Sequence, residues 1–248
     1  MILFIRRLLI IMTKNSKTLY QHGTLALLVP GLLTGTITMG ELLTHGDTGI
    51  GTGEGLDGEL IILDGIPYQV DSHGSANILK DDFIMPFANS HFANYTELGT
   101  ISNATPADFE KTALEGKPNS NTFFSVLVRG TFSYMKTRAV VKSSRPFSTL
   151  AETAKNQSIF ETKNVKGTML SYYSPALFHG AAVAGFHNHF LADDHLFGGH
   201  ILDFKIAEGT VSIQQFDTLE QHLPVDNKEF MDHDFSKDDI ARTIAEAE

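Results

Sequence analysis

The sequence predicts an α+β chain that is predominantly β, with short helices and antiparallel strand pairing. Runs rich in Val, Ile, Thr, Phe and Tyr recur along its 248 residues, each bounded by Gly, Pro, Asn or Asp, as strands and turns require. Asp64-Gly65 stands between two apolar runs, which is a two-residue hairpin signal. The helical stretches are short and follow capping residues. No internal repeat is evident.

Taken in order, Tyr-Gln-His-Gly-Thr (20–24) leads into an apolar run, 25–33, broken at Pro30-Gly31. Thr38-Met-Gly-Glu41 has capping-box spacing, so 39–44 reads as a short helix closed by Gly46. The glycine-rich segment 49–53 reads as flexible; it lacks the strand and helix that flank a phosphate loop. Residues 59–63 and 66–70 form the clearest hairpin. On its first strand Glu59, Ile61 and Leu63 share a face. A carboxylate there is either a solvated strand end or a buried acid, and the solvated end is the commoner case.

Residues 71–100 carry turn formers and two short apolar pieces, 83–87 and 91–95. Thr105-Pro106 opens a helix that Glu115-Gly116 ends, and 117–121 is loop. Residues 123–134 read as a long strand with a bulge at Gly130, and 136–141, which contains Arg138, as its partner. A short helix at 150–155, a strand at 165–173 and a corner at 174–180 follow. Residues 181–191, 199–207 and 210–216 read as three strands, the last two joined by a turn at Glu208-Gly209. Ser236 to Asp239 cap a terminal helix, with acids in the first turn as the helix dipole prefers.

Composition narrows the function. A net charge of −10 without a basic cluster argues against nucleic acid as a partner. Cysteine is absent, so any zinc site must be built from histidine and carboxylate. The apolar start, interrupted by Arg6-Arg7, is shorter than the roughly 20 residues a bilayer span needs. It also lacks the order of a secretory signal. Residues 1–18 are therefore expected to be an extension, with 1–11 outside the fold.

The chemistry concentrates in 185–203. His187 and His189 are two apart in a strand-like run, so both project from one face, their Cα atoms roughly 6.6 Å apart at about 3.3 Å per residue. Gly198-Gly199 permits a tight turn before a second strand, and pairing of the two strands would bring His200 onto the same face. Three protein ligands and an open position describe a catalytic zinc site. A His-x-His pair alone is more often ordinary strand decoration. Asp193 and Asp203 are candidates to orient ring nitrogens or are plain loop and strand-end charges. His195 falls at the loop tip as a bystander.

These residues resemble the alpha-acetolactate decarboxylase family. The resemblance rests on Gly-Phe-His-Asn-His-Phe (185–190) with Gly-Gly-His-Ile-Leu-Asp (198–203), on 20–24, and on Leu-Asp-Gly-Glu-Leu (56–60) with Asp64-Gly65. Gly-Thr-Phe (130–132) and Pro-Ala-Leu-Phe-His-Gly (175–180) also match, so it spans the chain from about Leu19 onward. It implies conversion of 2-acetolactate to acetoin and carbon dioxide, with zinc on His187, His189 and His200. It implies that Glu59 and Arg138 line the site, with Thr52 near the substrate, and that a glutamate of the C-terminal helix reaches in. Glu246 is the first choice for that glutamate and Glu248 the reserve; Glu59 and Glu246 both stand as candidate proton donors. The implied fold is two β-rich units, a mixed sheet (19–160) and a barrel-like sheet with the C-terminal tail (161–248). The resemblance also implies that the metal lies between them and that the chain forms a homodimer, while the acidic balance, the lack of a convincing signal and a metabolic substrate point to the cytoplasm and to no membrane contact. The rival readings are a cupin-like metal oxygenase and a non-catalytic β-sandwich module.

Overall fold

The computed structural model describes residues 15–115 and 119–247. Of the expected N-terminal extension only 15–18 fall within that range, and Thr18 already opens a strand. The expected helix stop at Gly116 lies outside the described residues.

The first sheet has seven strands: β1 (Thr18–His22), β3 (Thr48–Gly53), β4 (Asp57–Leu63), β5 (Ile66–Val70), β6 (Ala76–Ile78), β8 (Phe87–His91) and β15 (Thr218–His222). Their spatial order is β15-β1-β8-β3-β4-β5-β6. It is a mixed sheet, because β1 and β15 run parallel while its other pairs are antiparallel. A two-stranded ribbon, β2 (Ile37–Thr38) with β7 (Ile84–Met85), flanks it. The second sheet contains β9 (Thr96–Ala104), β10 (Phe124–Val140), β11 (Gln157–Thr162), β12 (Val165–Ser174), β13 (Gly185–Ala192) and β14 (Gly198–Gln215). Its order is β11-β10-β12-β13-β14-β9, and β10 also pairs with β14, which closes a barrel. The α+β, mostly β expectation therefore holds, with short helices and a helix near the C-terminus.

The helices are α1 (Leu25–Leu28), α2 (Met39–Leu42), α3 (Pro106–Leu114), α4 (Leu150–Ala154), α5 (Lys228–Asp232) and α6 (Ile240–Ala247). Their starts follow the capping logic. Thr38 accepts from the Glu41 amide, and Thr105/Asp108 and Thr149/Glu152 form reciprocal boxes. Each such cap contributes about 1 kcal/mol.

Four apolar clusters locate the layers. Val126, Val128, Phe132, Met169 and Phe190 fill the barrel, with Phe109 of α3 joining them. Ile50, Ile61 and Tyr68 of the first sheet meet Leu127, Leu170, Tyr172 and Leu191 of the second. Met39 and Leu42 of α2 cover the other face of the first sheet through Leu60 and Ile62. Leu25, Leu28, Val140, Leu150 and Ile244 form the fourth, beneath α1, α4 and α6.

Four expectations are corrected. Residues 49–53 are not flexible but form the buried strand β3, between β4 and β8. A Cβ at Gly51 would lie 2.7 Å from the Phe87 carbonyl, so glycine here serves close strand approach. Residues 123–141 are not a hairpin. They form one 17-residue strand whose register shifts against β14 near Thr131, Phe132 and Lys136, bending it around the barrel. Glu208-Gly209 is not a turn: β14 runs straight through it for 18 residues, and Gly209 pairs with Gly130 where the strands crowd. The boundary at 160 does not divide the sheets, because β9 and β10 belong to the barrel and β15 returns to the first sheet.

Candidate metal centre

The strand alternation puts His187 and His189 on the face of β13 that looks at the first sheet, the face shared with Leu191. β14 pairs with β13 so that His200 lies directly opposite His189. The turn between them is 193–197, with His195 at φ 57°, and not Gly198-Gly199. Gly199 has another task. Its φ is +121°, and a Cβ there would meet the Arg138 carbonyl at 2.4 Å. Only glycine lets β14 press so closely on β10, and that contact pairs Arg138 with His200.

The three rings converge. His187 Nε2 lies 3.1 Å from His200 Nδ1 and 3.2 Å from His189 Nε2. One donor nitrogen from each ring falls within 4.8 Å of the others, as a shared ion requires. His189 Nδ1 donates to the Leu60 carbonyl at 2.7 Å, which leaves the Nε2 lone pair aimed at the centre. Burial drives the His187 ring down to about 3, with the Arg138 charge adding to the shift. Burial likewise holds His189 and His200 well below the usual histidine range, and Arg138 and the neighbouring rings push the same way. All three are thus neutral at physiological pH, the form that binds a metal.

Glu59 is a buried acid and not a solvated strand end. It is 8 % exposed, and its Oε2 lies 3.7 Å from His189 Nε2. Its face of β4 is the one that carries Ile61 into the contact between the sheets. Thr52, its partner across β3 and β4, donates its hydroxyl to the Gly58 carbonyl and lines the same cavity. Arg138 is 7 % exposed and extends one Nη1 to Gln157 Oε1 at 3.3 Å. The cavity is completed by Leu25, Leu28, Leu56, Phe87, Val140, Leu150 and Ala154. Its polar groups therefore sit on one wall and an apolar ceiling faces them.

Three candidate residues fall elsewhere. Asp193 lines a separate surface groove beside His195, whose ring rests on Tyr68. Asp203 is exposed and accepts from the Phe204 amide, so it orients no ligand ring; the Leu60 carbonyl does that work for His189. Glu246 lies on the outer side of α6, its carboxylate 61 % exposed and 3.7 Å from Arg242. Glu248 lies outside the described residues. Sequence reasoning missed the ceiling, Gln157 and the Leu60 carbonyl. Of these only the apolar run after Gly23 offered a signal.

A model of the alpha-acetolactate decarboxylase family matches residues 19–237. The chain belongs to the alpha-acetolactate decarboxylase family. It is 39 % identical over 236 residues to the alpha-acetolactate decarboxylase of Lactococcus lactis subsp. cremoris, covering 93 % of this chain and 98 % of that one. It is 36 % identical to the Bacillus licheniformis enzyme of the same name, over 95 % and 93 % of the two chains. A crystal structure of the Bacillus subtilis enzyme superposes with a TM-score of 0.88 at 33 % identity, covering 93 % of this chain and 99 % of that one. A Staphylococcus aureus protein described as similar to alpha-acetolactate decarboxylase gives 0.89 at 37 %, over 93 % and 100 %.

Proposed function

We propose that the protein decarboxylates 2-acetolactate to acetoin and carbon dioxide, with zinc held by His187, His189 and His200. The observation that carries this reading is the neutral three-imidazole cluster, His189 and His200 buried and His187 half-buried, beside Glu59 and Arg138 in one cavity. The donor set fits the ion: three nitrogens, no thiolate, a ring oriented from behind by a carbonyl, and all three rings lining the cavity.

The substrate carries a carboxylate and a hydroxyl on one carbon and a ketone on the next. Zinc bound there supplies Lewis acidity to the hydroxyl and ketone oxygens, worth several kcal/mol of barrier, or several decades of rate at 1.36 kcal/mol per decade. Arg138 orients the departing carboxylate with a fixed donor fork and a permanent charge. The bond to the carboxyl carbon breaks, carbon dioxide leaves, and the electron pair is delocalised toward the neighbouring carbonyl. Glu59 protonates the carbon that lost carbon dioxide, which completes acetoin. Leu25, Leu28, Leu56, Phe87, Val140 and Leu150 exclude water while the charge is present. With Glu246 facing solvent, Glu248 is the tail carboxylate left to test.

The same reading makes the enzyme a homodimer, on the family resemblance, and cytoplasmic, on its acidic balance and metabolic substrate. No helix among the described residues is long and apolar enough to cross a membrane. The deciding experiment is acetoin formation from 2-acetolactate by purified protein, with metal analysis before and after chelation. Zinc near one per chain and activity lost on chelation are expected. Bound iron with oxygen consumption would favour the oxygenase, and turnover unaffected by chelation would end the metal mechanism.

A further inference from the structure

The cavity ceiling is held from behind. Leu25 and Leu28 of α1 and Leu150 and Ala154 of α4 face the metal site. Leu25, Leu28 and Leu150 share an apolar cluster with Ile244 of α6, which is 1 % exposed; Ala154, Phe230, Phe235 and Ile240 pack around it. α6 itself lies against both α1 and α4. Ile244 does not line the cavity, so it forms a second layer above the side chains that do.

This C-terminal strap is attached differently from the rest of the fold. Its backbone hydrogen bonds outside helices are local, such as His233 to Phe230, Asp238 to Phe235 and Thr243 to Asp239. Among the described residues its polar tie to the body is Glu229, which accepts from Arg145 at 2.8 Å and from Thr34 at 2.7 Å. Among the described residues Phe230, Phe235, Ile240 and Ile244 add apolar burial. α1, by contrast, is fixed by its first amides to the carbonyls of Ala181 and Gly180. A segment whose backbone hydrogen bonds stay local can open below the cost of global unfolding. Of the cavity's lining residues Ala154 above and His187 below are half-buried and the others buried, so the mouth lies between α4 and β13.

We propose that Ile244 is a positioning residue: docked, it presses α4 closed over the site, and undocking of the strap opens the mouth between Ala154 and His187 to substrate and product. The kinetic part of this rests on the decarboxylase reading; the exchange and metal-release parts do not.

The test compares Ile244→Ala and Ile244→Val with wild type as zinc-loaded full chains. Hydrogen exchange of the 150–154 amides, the rate at which a chelator strips zinc, and kcat and KM are measured. In Ile244→Ala the α4 amides should exchange about tenfold faster while those of β13 and β14 do not change, a local opening and not a general loosening. Zinc should be stripped faster from an unchanged starting stoichiometry. kcat should fall about tenfold, with KM altered less, because a ceiling that no longer stays shut admits water. Ile244→Val should restore most of each effect. Unchanged α4 exchange, or exchange raised equally in β13 and β14, would overturn the proposal. If Ile244→Ala does not fold, Arg145→Ala loosens the strap at its polar tie; faster exchange in 228–247 must then be followed by α4, and an unmoved α4 overturns it. Wild type that makes no acetoin would sink the decarboxylase reading while leaving the exchange result to judge the strap.

Discussion

Lowering the pH should weaken the protein through a histidine outside the metal cluster. His91 is fully buried between the sheets, its Nδ1 bonded to the Tyr172 hydroxyl at 2.7 Å, with Tyr95 and Phe216 around the ring. Burial drives its pKa down from 6.5 to about 3, against a small opposing pull from Asp47. The folded value lies below the unfolded one, so between pH 6.5 and 3 the unfolded chain binds the extra proton. Stability is therefore intact above about 6.5 and is lost as pH falls toward 3. At pH 5 the unfolded ring is about 1.5 pH units below its pKa, which at 1.36 kcal/mol per unit removes about 2 kcal/mol. Urea titrations at pH 7 and pH 5 on wild type and His91→Gln measure this. Both proteins carry the same metal site, so its pH dependence cancels in the difference. With a urea slope of about 3 kcal/mol/M, wild type should lose about 0.7 M more midpoint than the variant between the two pH values. Equal losses would show that His91 titrates alike in folded and unfolded chains, and the buried-neutral argument would fail.

The other expectations concern the site. Glu59→Gln keeps the shape but not the acid, so zinc should remain while kcat falls by about 10²–10⁴; a smaller loss, seen in steady-state kinetics, would move proton donation elsewhere. Arg138→Lys should retain zinc and still lose most activity, because an ammonium lacks the two-pronged donor geometry; full rescue by lysine would reduce its role to charge. His200→Ala should abolish stoichiometric zinc by metal analysis and turnover with it. Glu246→Gln should change kcat by less than about threefold, as an exposed, weakly paired carboxylate implies; a loss of decades would mean that α6 turns this residue inward during turnover.

Much of the site could be read from spacing, because it is built by two local rules. A strand puts His187 and His189 on one face, and a neighbouring strand brings His200 beside them. The hairpin at Asp64-Gly65 was legible for a similar reason: φ is positive at both positions, 53° and 79°, and the residue types announce it. What escaped depends on distant partners. The glycines of 49–53 suggest flexibility until β4 and β8 close on them, and Gly209 suggests a turn until Gly130 is found against it. The burial of Glu59 follows from which face of β4 the barrel covers, and nothing near residue 59 encodes that. The helical part of the apolar ceiling comes from α1 and α4, more than a hundred residues apart in sequence, each an ordinary amphipathic turn by itself.

The parallel pairing of β1 with β15 joins Thr18 to Thr218 and His22 to His222. On the ribosome this has a cost. β1 emerges well before β15, and until some two hundred further residues have been made one rim of the sheet stays bare. At about 5–20 residues per second that wait lasts on the order of ten seconds or more. Nascent chains of this protein should therefore be clients of a holding chaperone until synthesis has passed His222.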